Sequence, residues 1–105
     1  MHYRVIHTDR RHNWHRHFRY IIEFVPNYPG SGVLDFDRAL KWFNRTWGWS
    51  TDVDLAMRVK ECADMVELGQ QINPHWAYSG QYRKYRIYVQ GDQELTMFQL
   101  VHSGT

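Results

Sequence analysis

One cysteine, Cys62, stands in a chain of 105 residues, so no intrachain disulfide forms and the fold must rest on packing. Long apolar runs are missing as well. The longest are Tyr20 to Ile22, Phe24 to Val25 and Ile87 to Val89, far short of the roughly 20 residues a membrane-spanning helix needs. The amino terminus, MHYRVIHTDR, holds neither the apolar stretch nor the small-residue cleavage site of a signal peptide. A soluble, cytoplasmic chain is expected, and a lone thiol inside a helical pattern suits a reducing compartment. Net charge is small at +2, and with 16% aromatic and 23% charged residues the composition is that of a folding chain, not a disordered one. No GxSxG elbow or glycine-rich phosphate loop occurs, and Cys62 sits where a helix needs an apolar residue. The Gly30-Ser31-Gly32 stretch precedes a helical pattern, but Asp35 and Asp37 at the expected amino end would repel a phosphate. No cofactor is expected.

What is present reads as alternating strands and amphipathic helices within one domain, residues 1 to 105. In HFRYIIEFV, residues 17 to 25, Phe18, Tyr20, Ile22 and Phe24 share one face and His17, Arg19, Ile21 and Glu23 the other. Tyr3, Val5 and His7 alternate in the same way, and the polar stretch from Thr8 to His15 joins the two as an antiparallel pair. Turn residues from Pro26 to Gly32 then end the sheet.

Phe36, Ala39, Leu40, Phe43 and Trp47 recur at helical steps, which predicts a first helix from about Phe36 to Trp47, capped by Asp35 and stopped by Gly48. Thr51 with Asp54 approximates a capping box for a second helix bearing Leu55, Val59, Cys62 and Val66 and ending at Gly69. Residues 70 to 81 read as a loop with Trp76 and Tyr78 tucked under the core. In YRKYRIYV, Tyr85, Ile87 and Val89 face inward while Tyr82, Lys84, Arg86 and Tyr88 face out. After Gly91, a turn of helix capped by Asp92 and then a short strand is the preferred reading of QELTMFQLVH, a hairpin partner the other. The expected fold is α+β, an antiparallel sheet of three or four strands with two helices packed on one face, in the order ββααβ plus that last segment.

The strand YRIYV, the acidic turn GDQE and the apolar LTMFQL, with the helix FDRALKWF and its neighbouring tryptophans, resemble small uncharacterised accessory proteins of tailed bacteriophages. The likeness covers about half the chain, Phe36 to Trp47 and Tyr85 to Leu100. It implies an accessory protein made in an infected bacterial cytoplasm and carries no active site with it. The His- and Arg-rich amino terminus departs from that pattern.

Three constellations bear on function. His12, His15 and His17 are imidazoles of the kind that bind zinc, but on an extended strand His12 faces away from the other two, so a solvated polar hairpin loop is the preferred reading and no bound metal is expected. Charge is segregated. Five arginines against one aspartate in residues 1 to 20, with Arg83, Lys84 and Arg86, make +7, whereas residues 49 to 69 carry −3. If the helices cover one sheet face, Arg19, Lys84 and Arg86 meet Tyr82 and Tyr88 on the other, an arrangement that holds phosphates while bases stack, although strand surfaces favour the same residues. Last, Trp42, Trp47, Trp49 and Trp76 exceed what one small core readily encloses, and tryptophan beside arginine, here Arg45, is the composition of binding hot spots. Trp42 lies off the helical stripe and is expected to be exposed, unless a second helix covers it. The leading expectation is a non-enzymatic protein, monomer or homodimer and without membrane contact, that binds a host protein through Trp42, Arg45, Trp47 and Trp49. An RNA or single-stranded DNA binder is the alternative, and a metal-dependent hydrolase using the histidines the third.

Overall fold

Alternation over residues 3–7 and 20–24 builds the first two strands, β1 (Tyr3–His7) and β2 (Tyr20–Phe24). The structure is a computed structural model that describes residues 2–10, 18–26, 29–50, 52, 73–80 and 85–102. Among these the chain continues through α1 (Ser31–Trp47), β3 (Trp76–Ser79), β4 (Arg86–Val89) and α2 (Asp92–His102). All strand pairs are antiparallel, in the spatial order β1-β2-β4-β3. The fold is therefore α+β. The expected second helix, 51 to 69, lies outside the described residues except at Asp52, which forms an isolated parallel bridge with Tyr78.

Register places Tyr3 and Phe24, then Val5, Ile22, Ile87 and Tyr78, then His7, Tyr20, Val89 and Trp76 on one sheet face. This face carries the core. Phe36 of α1 packs on Phe24, Tyr78 and Tyr85, while Phe43 lies against Trp76 and against Phe98 of α2. Phe98 is fully buried and also meets Tyr3, Phe24, Trp42 and His102, so one ring ties both helices to the sheet.

Four expectations change at this level. The first helix begins at Ser31, not Phe36, and Asp35 does not cap it. Gly30, at φ 84°, takes the left-handed turn, and Gly32 packs within reach of Pro26 and Tyr85, where tertiary contact outweighs glycine's poor helix propensity. The expected loop 70 to 81 contains a strand, β3, which pairs with β4; Trp76 and Tyr78 pack into the core as expected, but from the inner face of that strand. The carboxy-terminal segment is one helix throughout, with no final strand: Glu94, Leu95 and Phe98 recur at helical spacing and bury one flank. Finally, the opposite sheet face is open only in part: Ile21, Ala77, Tyr88 and Ser79 on it are buried, whereas Arg4 is exposed and Ile6, Glu23 and Arg86 are half-buried.

Replacing Phe98 with Ala should cost about 3–5 kcal/mol of stability, the range for truncating a fully buried aromatic. Urea unfolding followed by tryptophan fluorescence measures it, and a loss under about 1 kcal/mol would show that this ring does not organise the core.

Candidate functional site

Helix α1 ends where Gly48 turns at φ 92°, and Trp49 and Ser50 leave the helix alongside the start of β3. That exit is held on several sides. Asn73 donates from Nδ2 to the carbonyls of Trp47 (2.9 Å) and Trp49 (3.1 Å), Trp76 donates its indole N–H to the Gly48 carbonyl (2.9 Å), and the buried Ser50 hydroxyl donates to the Trp76 carbonyl (2.7 Å). On this fixed backbone the Trp49 ring is 72% exposed. It borders an open groove of about 200 Å³ lined by Leu40, Lys41, Asn44, Trp49, Ser50, Trp76 and Tyr78. Burial, followed by the nearby charge of Asp52, pushes the Tyr78 phenol above its ordinary range, so it meets a ligand as a neutral hydroxyl. Lys41, paired with Asp37 at 3.0 Å, and Arg45 are exposed and one helical turn apart on α1, which gives the groove a basic margin.

The other tryptophans do different work. Trp42 is half-buried, edge-on to Phe43, Phe98 and His102, because α2 occupies the flank that the helical stripe left open. Trp47 is half-buried and stacks on His75 at 4.6 Å, with its indole nitrogen buried and without a hydrogen-bond partner among the described residues. Of the residues singled out for partner binding, Trp49 borders the groove and Arg45 stands on its helix, while Trp42 and Trp47 belong to the packing behind it.

His75 was not visible as a site residue in sequence. Its Nδ1 lies 3.0 Å from Oε1 of Glu94, a carboxylate only 2% exposed, and the other oxygen of Glu94 accepts the Gly91 backbone N–H at 3.2 Å. Glu94 thus makes one half of a capping box on α2, accepting the N–H of the N-cap residue Gly91, and orients the imidazole at once. The signal for it in the sequence is the three-residue spacing from Gly91 to Glu94; the cap expected at Asp92 falls one residue earlier, at Gly91.

The basic, tyrosine-bearing strand looks different in three dimensions. Tyr88 lies on the face away from the core, as its alternation suggested, but is only 6% exposed, with Phe18 packed near it. Arg86 is held by Glu23, Nε to Oε2 at 2.7 Å, and Glu23 also binds Arg4. Arg19 is exposed and sits 3.8 Å from Asp92, whose other oxygen accepts the Tyr20 hydroxyl at 2.6 Å. Tyr82 and Lys84 lie outside the described residues, as do His12, His15 and His17. Among the described residues no three His, Cys, Asp or Glu side chains are grouped as metal ligands. No helix among them is long and apolar enough to cross a membrane. No protein-family model, curated protein or solved structure matches this chain.

Two measurements follow from the buried carboxylates. Burial alone would raise the Glu23 carboxyl, but the hydrogen bonds and charges of Arg4 and Arg86 outweigh it and hold the group below its ordinary range. A lowered folded-state value stabilises the protein above the unfolded glutamate value, about 4.3, and that contribution disappears as pH falls through the lower folded value. Thermal melts from neutral to acid pH should therefore show a loss that Glu23→Gln reduces; identical profiles would dismiss the network. Glu94→Ala should cost about 1–3 kcal/mol, through the lost cap bond and the unpaired imidazole nitrogen. Unchanged urea midpoints would indicate that water replaces both bonds.

Proposed function

We propose that this chain is a small non-enzymatic interaction protein, of the accessory kind its carboxy-terminal pattern resembles in tailed bacteriophages, which binds and modulates a host protein in the bacterial cytoplasm. The observation that supports this reading is the Trp49 indole, 72% exposed on a backbone held by hydrogen bonds, beside the groove along α1. A large apolar ring kept in water by a rigid support is a preorganised anchor, since little ordering cost remains to be met on binding. Covering it would bury roughly 150 Å² of mainly apolar surface, about 3–4 kcal/mol before the cost of association. The chemistry of the groove selects the partner. Lys41 and Arg45 favour an acidic segment, the walls of Leu40, Trp49 and Trp76 favour an aliphatic or aromatic side chain, and Asn44 and Tyr78 offer hydrogen bonds to an extended backbone.

Affinity capture from host lysate with the full chain, Trp49→Ala and Lys41→Glu, each with and without nuclease, tests the reading. Expected is a protein partner retained after nuclease treatment, weakened by at least about 2 kcal/mol in Trp49→Ala as for a central hot spot. Lys41→Glu should slow association and remove much of its salt dependence. Capture that nuclease abolishes would favour the nucleic-acid alternative, and capture insensitive to both substitutions would place the partner elsewhere on the molecule.

A further inference from the structure

The two edges of the sheet are treated differently. Along β3 three of four residues are buried, and Asp52 bridges Tyr78 on its outer side. Along β1 Arg4, Val5 and His7 are exposed, with Val5 at 39%. Ladder parity shows which backbone groups β1 leaves open. The Thr8 N–H bonds to the Arg19 carbonyl and the Val25 N–H to the His2 carbonyl, so the even-numbered residues 2 to 8 direct their backbone groups at β2. Tyr3, Val5 and His7 consequently aim theirs away from the sheet, where they meet no partner among the described residues.

We infer that β1 is a self-association edge: two copies of this chain pair β1 to β1 antiparallel about a two-fold axis at Val5, joining their sheets. The pattern of the strand selects a second copy over an unrelated peptide. With Val5 opposite Val5 of the other copy, Tyr3 falls opposite His7 and His7 opposite Tyr3, so every outward backbone group of the three residues finds its complement in one register. Each position is matched in kind. Tyr3 against His7 repeats a contact already made within the chain, where His7 meets Tyr20 edge-on at 5.3 Å, and valine meets valine at the axis. Charge permits the approach. Arg4, the one permanent charge on β1, shares Glu23 with Arg86 and falls opposite Ile6 of the second copy, so no like charges are directly opposed. The strand carries no proline and no inward-pointing charge, two of the devices that usually prevent such pairing. The groove on α1 takes no part, so this inference stands independently of the proposed function.

One strand pair buries less than the roughly 800 Å² that each partner gives a standard interface, which predicts a weak, concentration-dependent dimer. Sedimentation equilibrium from about 5 µM to about 1 mM should show the mass rise from 12.8 kDa towards twice that value. Hydrogen exchange should find the Tyr3, Val5 and His7 amides fast at the low concentration and slowed at the high one, with Arg4 and Ile6 protected at both. Val5→Pro removes the N–H at the axis, and because that N–H does not bond β2 the fold tolerates it. Dissociation should strengthen about tenfold or more, the effect of two lost backbone hydrogen bonds. Val5→Lys, which sets two like charges across the axis, should do the same and stands in if circular dichroism shows the proline variant unfolded. A mass fixed at one chain throughout, assembly beyond two chains, or a dimer that both folded variants leave intact would each overturn the inference.

Discussion

A single buried ring, Phe98, is the contact on which the remaining geometry depends. It lies against Tyr3 and Phe24 of the sheet, Trp42 and Phe43 of α1 and His102 of its own helix, with centroid distances of 4.4 to 6.4 Å. Offset and edge-on ring pairs at such distances attract beyond the burial of their area, and they constrain orientation as well. Because one side chain of α2 touches both the sheet and α1, the position of α2 constrains how α1 sits. The placement of α1 in turn decides where its carboxy-terminal end, with Trp47 and Trp49, meets β3.

Polar groups then lock what the aromatic contacts position. Asn73 clasps the end of α1, Trp76 and Ser50 tie the exit segment to β3, and Glu94 joins the start of α2 to His75. Each of these bonds connects segments distant in sequence, and each satisfies a backbone or side-chain group that would otherwise be left unpaired near the core. The exposed face of Trp49 is the consequence. It projects from one of the best-braced backbone stretches of the molecule, and this separates it from the apolar side chains that reach solvent at Leu34 or Leu100 along helix faces.

The groove and the β1 edge lie on opposite flanks of the sheet order, since the groove draws on β3 and the edge is β1. A partner seated on α1 and a second copy paired at β1 would not compete for the same surface. Between them runs the Arg4–Glu23–Arg86 network, which uses Arg86, one of the cations that an open basic strand face would have needed.

Much of this was legible in the chain. Period-two alternation identified β1, β2 and β4, because a strand buried on one side must place its apolar residues at every second position. The helical step from Phe36 to Trp47 and the stop at Gly48 were equally local. Trp49 was included among the binding residues by composition alone. Other features depend on partners far away in sequence. Whether Trp76 and Tyr78 form a loop or a strand turns on the hydrogen bonds of β4, and whether Trp42 faces water turns on α2. Tyr88 and Arg86 alternate outward, yet one is buried and the other is claimed by Glu23 on a neighbouring strand. Local periodicity thus determined which residues share a face, while only the tertiary structure decided which faces are covered, because covering requires a second element that periodicity does not name.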